Sequence, residues 1–405
     1  MHLTKEEERI LDGEKGEALS VAMKILVGLG EIHDAERLIP ISSAHVSGIS
    51  YGNIGEEGLN FIRFLCNGNH FVVSTTVNPT AMDLESWQEM KIPKDYAEKQ
   101  LEIAECLIRA GAIVSFTCTP YLGYTFPQYG DHVAWGESSA VAFINSVLGA
   151  RTNKEGGPSA LASALLGKTP LYGLHIKDNR RPTVRVIVRF NLQTITDFSI
   201  LGYAIGHRIR SGIPLIENIK VYTNDYDKLK AFSAGIAAPS NIAMYLIKGI
   251  SPDAISISEH DLRNLEKVEI TIDDVNEELS SLSSPLERPD LVFFGCPHYS
   301  LRELERVIGY IKAHGIVNRT DVPIWIAVSR ATYKRAVELG YVSFLKRRGI
   351  KVIRDTCAVV MPLKLMGIKS VATDSAKAAH YIRLRHGATV YLADALKILE
   401  SILTQ

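Results

Sequence analysis

Apolar positions along the first 180 residues recur at two spacings, and the alternation of these spacings predicts the fold. Helical spacing predicts helices at 17–29, 56–66, 95–110 and about 137–148. Short apolar runs predict strands at 70–76 and 112–118. Thr4, followed by three glutamates, predicts an earlier helix start. Strands that alternate with helices are typical of parallel βαβ units. The first part of the chain is therefore predicted to be an α/β domain.

The middle of the chain has a different pattern. Its β-branched runs predict strands at 183–190, 219–223 and 267–272, with a helix at about 239–248. We interpret this part as an inserted α+β subdomain. The polar stretch from Glu277 to Pro285 is interpreted as a linker.

Strand–helix alternation returns after this stretch. It predicts strands at 290–295, 323–328, 350–354 and 388–391, and helices at 300–313, 331–339 and about 374–385. The expected fold class is α/β, with parallel-sheet α/β/α domains and the inserted α+β subdomain. The expected domains are 1–180, 181–284 and 285–405.

Three of the five cysteines stand in the same local setting. Cys118, Cys296 and Cys357 each follow a short apolar run of strand character. If these strands are parallel neighbours, the thiols lie at the carboxyl edge of one sheet, where open α/β sheets place ligands. Three convergent thiolates favour a metal or iron–sulfur site with one open position, and three unrelated buried thiols are the alternative. Cys66 and Cys106 lie on apolar helix faces and are interpreted as small buried hydrophobes.

Composition narrows the function classes. The 405 residues carry 45 basic and 45 acidic side chains, for a net charge of zero. A nucleic-acid surface needs a basic excess, so this balance argues against one. No apolar stretch reaches the roughly 20 residues that a membrane span requires, and the charged start lacks a signal core. We expect a cytoplasmic protein, with a composition that is ordinary for a soluble globular enzyme.

Polar loops at the ends of predicted strands supply the other candidates. The loop from His45 to Ser50 is rich in hydroxyls and small residues, and Asn78 and Pro79 follow the next strand. Arg330 follows another strand, where its charge suits a phosphate or carboxylate. Lys377 stands at a helix start, where a cation is unfavourable. This suggests a functional lysine, with a solvated surface lysine as the alternative.

The remaining histidines show no metal-binding spacing. We interpret four of them as residues of polar loops: His132, His175, His207 and His298.

Nine short strings together resemble the aconitase X family. They are spread over nearly the whole chain: Ser43–Gly52, Phe116–Tyr121, His132–Ser139, Asn145–Asn153, Glu155–Ala160, Leu201–Gly206, Gly295–His298, Asp355–Cys357 and Asp374–Ala379. The resemblance implies an aconitase-like fold. It also implies an iron–sulfur cluster on Cys118, Cys296 and Cys357, with 4Fe-4S favoured over 2Fe-2S.

The resemblance also implies an activity and a partner. Family members are dehydratases, that is, hydro-lyases. The archaeal type converts (R)-5-phosphomevalonate to trans-anhydromevalonate 5-phosphate in the mevalonate pathway of isoprene biosynthesis, and other members act on cis-3-hydroxyproline. The chain is similar to the archaeal type and ends at Gln405 without a swivelling domain. A small subunit that carries this domain and a serine base is therefore expected, which would make the enzyme a heterodimer.

Under this resemblance, roles are assigned residue by residue. Lys377 and Ser139 are expected to be catalytic. The expected substrate-binding residues are Ser47, Gly48, Ile49, Ser50, Asn78, Pro79, Ser138, Ser139, Arg330 and Lys377. Glu137 is a further candidate for proton transfer, and His45 is a weaker candidate for binding. The alternatives are a hydroxyproline dehydratase, a non-catalytic iron–sulfur protein and a structural zinc site on the same thiols.

Overall fold

A computed structural model describes residues 1–316 and 320–403, in which the strands form four sheets. In the first unit three strands form a parallel sheet of order β3-β2-β4, and β1 pairs with β5 in an antiparallel sheet. The elements of this unit are α1 (Lys5–Leu11), α2 (Glu17–Ile32), β1 (Leu38–Pro40), β2 (Ser43–Val46), α3 (Tyr51–Cys66), β3 (Ser74–Val77), α4 (Lys94–Arg109), β4 (Ala134–Trp135), α5 (Ser138–Phe143), α6 (Gly157–Leu166) and β5 (Lys168–Pro170). Thr4 begins α1 through a capping box with Glu7.

The second unit is a four-stranded sheet of order β8-β7-β6-β9 whose pairings are parallel. Its elements are β6 (Val184–Val188), α7 (Ile195–Ile209), β7 (Pro214–Glu217), α8 (Tyr226–Ala237), β8 (Leu246–Ile247), α9 (Glu259–Leu262), β9 (Lys267–Ile270) and α10 (Ile272–Leu282). This unit is therefore of the α/β type, and the expectation of an α+β subdomain is corrected.

Three local predictions for this unit were wrong. The helix expected at about 239–248 is absent, because α8 ends at Ala237 and Pro239 follows its end. The strand expected at 219–223 lies earlier, as β7, with Pro214 tolerated as its first residue. The expected linker after Glu277 is helical up to Leu282, because a Thr271–Asp274 capping box begins α10.

The third unit is a five-stranded parallel sheet of order β12-β11-β10-β13-β14. Its elements are β10 (Leu291–Tyr299), α11 (Leu301–Ala313), β11 (Ile324–Val328), α12 (Arg330–Glu338), α13 (Tyr341–Lys346), β12 (Ile350–Ile353), β13 (Ser370–Thr373), α14 (Ala376–Tyr381), β14 (Thr389–Leu392) and α15 (Ala395–Leu403). Strand β10 is buried along its whole length, as expected of a central strand covered on both faces.

Close packing of α7 on α8 shapes the second unit. A Cβ at Gly202 would lie 2.4 Å from the Phe232 carbonyl oxygen, and one at Gly235 would lie 2.0 Å from the Ser199 carbonyl oxygen. Only glycine permits backbones to approach this closely.

Within the described residues, no helix combines the length and the apolar character needed to cross a membrane.

A buried ion pair joins the first unit to the second. Arg180 Nη2 donates to Asp253 Oδ2 at 2.8 Å and to the Asn145 carbonyl oxygen at 2.9 Å. The Arg180 side chain is only 1% exposed and that of Asp253 is 10% exposed. A buried ion pair is strongly coupled, because removal of one partner leaves a charge without compensation.

Asp253→Ala is therefore expected to lower the free energy of unfolding by about 3–5 kcal/mol, because Arg180 remains buried and unpaired. The measurement is the urea-unfolding midpoint of the full chain. The control is Glu338→Ala, which breaks an exposed pair with Arg335 and is expected to cost less than about 1 kcal/mol. Equal losses in the two variants would contradict the expectation.

Candidate active site

The segment that carries Cys118 runs beside β3 without forming a regular strand. The Thr117 backbone N–H donates to the Val77 carbonyl oxygen at 2.9 Å, but Phe116 has a φ of 35°. A positive φ at a bulky residue interrupts the extended conformation. The prediction of a strand directly before Cys118 was therefore wrong, although the segment still ends at the edge of the sheet.

The other two cysteines belong to the third unit. Cys296 lies within β10, after Gly295 at a φ of 105°, and Cys357 follows the end of β12. The three thiols thus come from the edges of two sheets, and the expectation of a single sheet was wrong. The two edges meet where the Thr80 N–H donates to the Asp355 carbonyl oxygen at 2.6 Å.

All three thiols are buried and influence one another. Burial raises the pKa of Cys118, Cys296 and Cys357 to about 12. Each thiol pKa is raised further by the charge of another of the three cysteines. Cys296 raises the pKa of Cys118, Cys357 raises the pKa of Cys296, and Cys118 raises the pKa of Cys357. A direct contact joins two of the segments, since the N–H of His298, two residues after Cys296, donates to Cys118 Sγ at 3.3 Å. Three neighbouring thiolates in an apolar site need a cationic group to stabilise them.

The donor set fits a multi-iron cluster better than one ion. Over residues 1–316 and 320–403, no three His, Cys, Asp or Glu side chains are arranged to hold a single metal ion. In a cluster each cysteine binds its own iron, so the sulfurs need not converge on one point. Two buried hydroxyls have no hydrogen-bond partner among the described residues: that of Tyr121, three residues after Cys118, and that of Thr356, directly before Cys357.

An ion pair between Lys377 and Glu137 lies next to the thiols. Glu137 caps α5 and Lys377 lies in the first turn of α14. Burial acts to raise the pKa of Glu137, but the charge and hydrogen bond of Lys377 outweigh it and lower this pKa to about 2. Burial acts to lower the pKa of Lys377, yet Glu137 and Cys296 hold it well above its ordinary value. Lys377 is thus a buried cation and not a surface lysine.

Two serines complete this group. Lys377 Nζ lies 3.3 Å from Ser138 Oγ and 3.4 Å from Ser139 Oγ. Ser139 also donates its hydroxyl to Glu137 Oε1 at 2.9 Å. Helices α5 and α14 each continue into a single π-helical turn, at 144–148 and 382–386, a feature that is frequent at functional sites.

A chain of hydrogen bonds extends from this pair into the first sheet. Asn78 Nδ2 donates to Glu137 Oε2 at 3.1 Å, and His45 Nε2 lies 3.2 Å from Asn78 Oδ1. The amide oxygen can only accept, so His45 carries its hydrogen on Nε2. Its Nδ1 then accepts from Thr76 Oγ1 at 2.8 Å. Burial lowers the pKa of His45 to about 4, which keeps the ring neutral.

The loop from Ser47 to Ser50 lies at the same edge. Gly48 is exposed at a φ of 70°, and Ser50 Oγ donates to the Val360 carbonyl oxygen at 3.3 Å. A Cβ at Gly157, the first residue of α6, would lie 2.8 Å from the Ser47 carbonyl oxygen. The loop therefore packs between a helix start and the third unit, and Pro79, which follows Asn78, is buried. The binding roles of these residues stay predictions.

Arg330 is held by acidic residues. Its Nε and Nη2 donate to the two carboxylate oxygens of Asp355 at 2.6 Å each, and its Nη1 donates to Glu85 at 2.8 Å. Its positive charge is therefore already compensated. A substrate-binding role for Arg330 remains a prediction, and the observed contacts join α12 to the end of β12.

Two residues at this junction were missed by sequence reasoning. Lys154 donates to the Ser240 carbonyl oxygen at 3.2 Å, and burial, together with the charge of Lys377, lowers its pKa to about 8. His298 was interpreted as a polar-loop residue, but it is fully buried in β10. No local pattern marks Lys154, whereas the position of His298 two residues after Cys296 was a usable signal.

Comparison with known proteins decides the family. Models of the aconitase X first, second and third domains match residues 1–178, 182–280 and 289–404. The chain belongs to the aconitase X family. It superposes on the crystal structure of Thermococcus kodakaraensis aconitase X (holo-form) with a TM-score of 0.92 and 40% identity, covering 99% of this chain and 100% of that one. The aconitase-like α/β fold is thereby confirmed.

Curated relatives divide into two groups. The chain is 41% identical to the phosphomevalonate dehydratase large subunit of Methanocaldococcus jannaschii, over 99% of this chain and 100% of that protein. The same description and identity apply to a Thermococcus kodakarensis protein, with 99% of each chain covered. A cis-3-hydroxy-L-proline dehydratase of Pseudomonas aeruginosa is 33% identical, over 93% of this chain and 65% of that protein. These relatives are named as dehydratases, which are hydro-lyases.

The Glu137–Lys377 pair leads to a pH-dependent expectation. Glu137→Gln is expected to lower the free energy of unfolding by about 3–5 kcal/mol near pH 7. The pKa of Glu137 is lowered from its ordinary 4.5 to about 2 in the folded chain. Its stabilisation is therefore complete above about pH 4.5 and is lost as the pH falls toward 2.

The measurement is the difference in unfolding free energy between wild type and Glu137→Gln from pH 7 to pH 3. This difference is expected to narrow below pH 4.5. A difference that stays constant over the whole range would contradict the assignment. Glu338→Gln, at an exposed carboxylate, is the control and is expected to change little at any pH.

Proposed function

We propose that this chain is the large subunit of a phosphomevalonate dehydratase. One observation carries the proposal: five archaeal relatives, at 38–41% identity over 94–99% of the chain, all have this description. The relatives described as cis-3-hydroxy-L-proline dehydratases are less similar, at 33% and 31%, and are longer than this chain. The reaction would be the loss of water from (R)-5-phosphomevalonate in the mevalonate pathway.

In this proposal Cys118, Cys296 and Cys357 hold an iron–sulfur cluster, with 4Fe-4S favoured because it leaves one iron without a cysteine. Their burial, the influence of each on another's pKa, and the 3.3 Å contact of the His298 N–H with Cys118 Sγ support this assignment. When bound, such a cluster supplies a Lewis acid that stabilises a departing hydroxide.

The residues around the thiols would bind and orient the substrate. Lys377, with Ser138 and Ser139 beside it, offers a cation and two hydroxyls to a carboxylate. Backbone N–H groups of the loop 47–50 are available to further oxyanions. The hydroxyl leaves one carbon and a proton leaves its neighbour, so that a carbon–carbon double bond forms and one water is released. A base for this proton is expected from a small subunit.

Lys154 would provide the second cation that this substrate requires. Lys154 and Lys377 are close enough for the charge of Lys377 to lower the pKa of Lys154, while Glu137 acts to raise it. Within the described part of the chain, Lys154 forms no ion pair, and the carbonyl of Ser240 is its recorded partner. A substrate with both a carboxylate and a phosphate brings two anions to two neighbouring lysines, of which Lys377 is already paired with Glu137. We therefore assign the phosphate to Lys154.

The proposal is tested by assaying the full chain, purified anaerobically with a small subunit from its own organism. Water loss is expected with 5-phosphomevalonate and not with cis-3-hydroxyproline, because only the former matches the two-cation site. The measurement is product formation by mass spectrometry, with iron and sulfide content determined on the same sample. Activity on cis-3-hydroxyproline alone, zinc in place of iron, or a cluster without dehydration would each overturn the proposal.

Lys154→Met is expected to lower kcat/KM for 5-phosphomevalonate roughly 10- to 100-fold, because a charge-assisted hydrogen bond to the phosphate is lost. Lys154→Arg keeps the charge and is expected to retain more activity. Lys24→Met, on the exposed face of α2, is the control and should leave the kinetics unchanged. An unchanged kcat/KM in Lys154→Met would remove Lys154 from the binding site.

A further inference from the structure

We infer that His298 is a positioning residue that holds the three cysteine-bearing segments in the relative arrangement a cluster requires. The inference rests on the proposed cluster and concerns a residue that touches none of the reacting atoms. Three segments that are distant in sequence must present their thiols together. A residue that contacts all three segments therefore helps to set the relative positions of the thiols.

The backbone of His298 connects two of the segments. His298 lies two residues after Cys296 in β10 and is fully buried. Its N–H donates to Cys118 Sγ at 3.3 Å. A donor directed at this sulfur stabilises its thiolate form, so the strand that carries one cysteine also supports another.

The imidazole reaches the residues that directly precede the other two cysteines. His298 Nε2 lies 2.8 Å from the Thr356 carbonyl oxygen, and a carbonyl only accepts, so the ring hydrogen is on Nε2. Nδ1 then accepts from Thr117 Oγ1 at 2.9 Å. Thr117 precedes Cys118 and Thr356 precedes Cys357. One ring therefore spans the gap between the two segments.

Neighbouring contacts hold both Thr117 and the backbone of His298 in place. The Thr119 N–H donates to Thr117 Oγ1 at 3.2 Å, which restricts the rotamer that faces His298. On the other side, Lys230 Nζ donates to the His298 carbonyl oxygen at 2.8 Å. Lys230 is itself buried in an ion pair with Glu303. The second unit thus supports the position of His298 through α8.

These contacts differ from those of an ordinary buried histidine. His175 is equally buried, but its Nδ1 faces His132 and its Nε2 has no partner among the described residues. Both ring nitrogens of His298 are satisfied, and each partner adjoins a cysteine. Residues that orient metal ligands in this way typically change metal affinity by 10- to 100-fold when they are removed.

The test uses the full-length chain, reconstituted anaerobically with ferrous iron and sulfide. The variants are His298→Ala, His298→Gln and Thr117→Val, with Cys357→Ser as the reference for a lost ligand and His175→Gln as the matched buried control. Iron and sulfide content, the EPR spectrum of the reduced sample and the half-life of the visible absorption in air are measured. Circular dichroism and thermal unfolding of the apo chains establish that each variant folds.

His298→Ala is expected to shorten the half-life roughly 10- to 100-fold with a folded apo chain. Gln places a donor near the Nε2 position, so His298→Gln is expected to recover part of the loss. The half-life of Thr117→Val should fall between those of wild type and His298→Ala, and the half-life of His175→Gln should match that of wild type. If His298→Ala does not fold, Thr117→Val decides, because it removes one hydrogen bond at nearly constant volume.

Two negative results have different meanings. A wild-type chain that takes up no iron and sulfide contradicts the proposed function. A wild-type chain that holds its cluster, while His298→Ala and Thr117→Val keep the same half-life and EPR spectrum, contradicts the role of His298 alone. If His298→Ala folds and its cluster has the same half-life as that of His175→Gln, the role of His298 is likewise contradicted.

Discussion

The buried ion pair between Lys377 and Glu137 is the interaction on which the site depends. It joins the start of α14 in the third unit to the start of α5 in the first. Neither charge is stable alone in an apolar environment, so each holds the other in place. Asn78 and Ser139 are oriented by the same carboxylate. The position of the polar side chains next to the cysteines therefore follows from one pairing.

The second unit contributes to this arrangement without supplying a thiol. The glycines between α7 and α8 bring these helices close together, and each helix then contacts the third unit. Ser199 Oγ of α7 accepts from the Ala376 N–H at the start of α14, and Lys230 of α8 binds the His298 carbonyl. Both contacts lie one or two residues from a proposed site residue. A rigid helix pair is thus a support for the junction of the other two units.

Local pattern predicted some elements well and others poorly, for physical reasons that are visible in the structure. The helix predicted at 95–110 is observed at Lys94–Arg109, because its apolar positions recur at helical spacing and are buried together along the helix. The helix expected at about 239–248 failed because Pro239 follows a helix end instead of beginning a new one. The segment before Cys118 has strand composition, but Phe116 adopts a positive φ. The same residue types occur in both outcomes, and tertiary contacts decide between them.

By itself, the sequence determined the family and the parallel α/β character of the first and third units, and it singled out three cysteines as candidate ligands, because periodicity and short strings are local properties of the chain. The tertiary structure alone decided that the thiols come from two sheets, and that Lys377 pairs with Glu137. It also decided that Lys154 lies close enough to Lys377 to feel its charge, and that His298 bridges Thr117 and Thr356. Burial and electrostatic pairing depend on distance in space. Residues so far apart in the chain come close to one another only when the three units pack together.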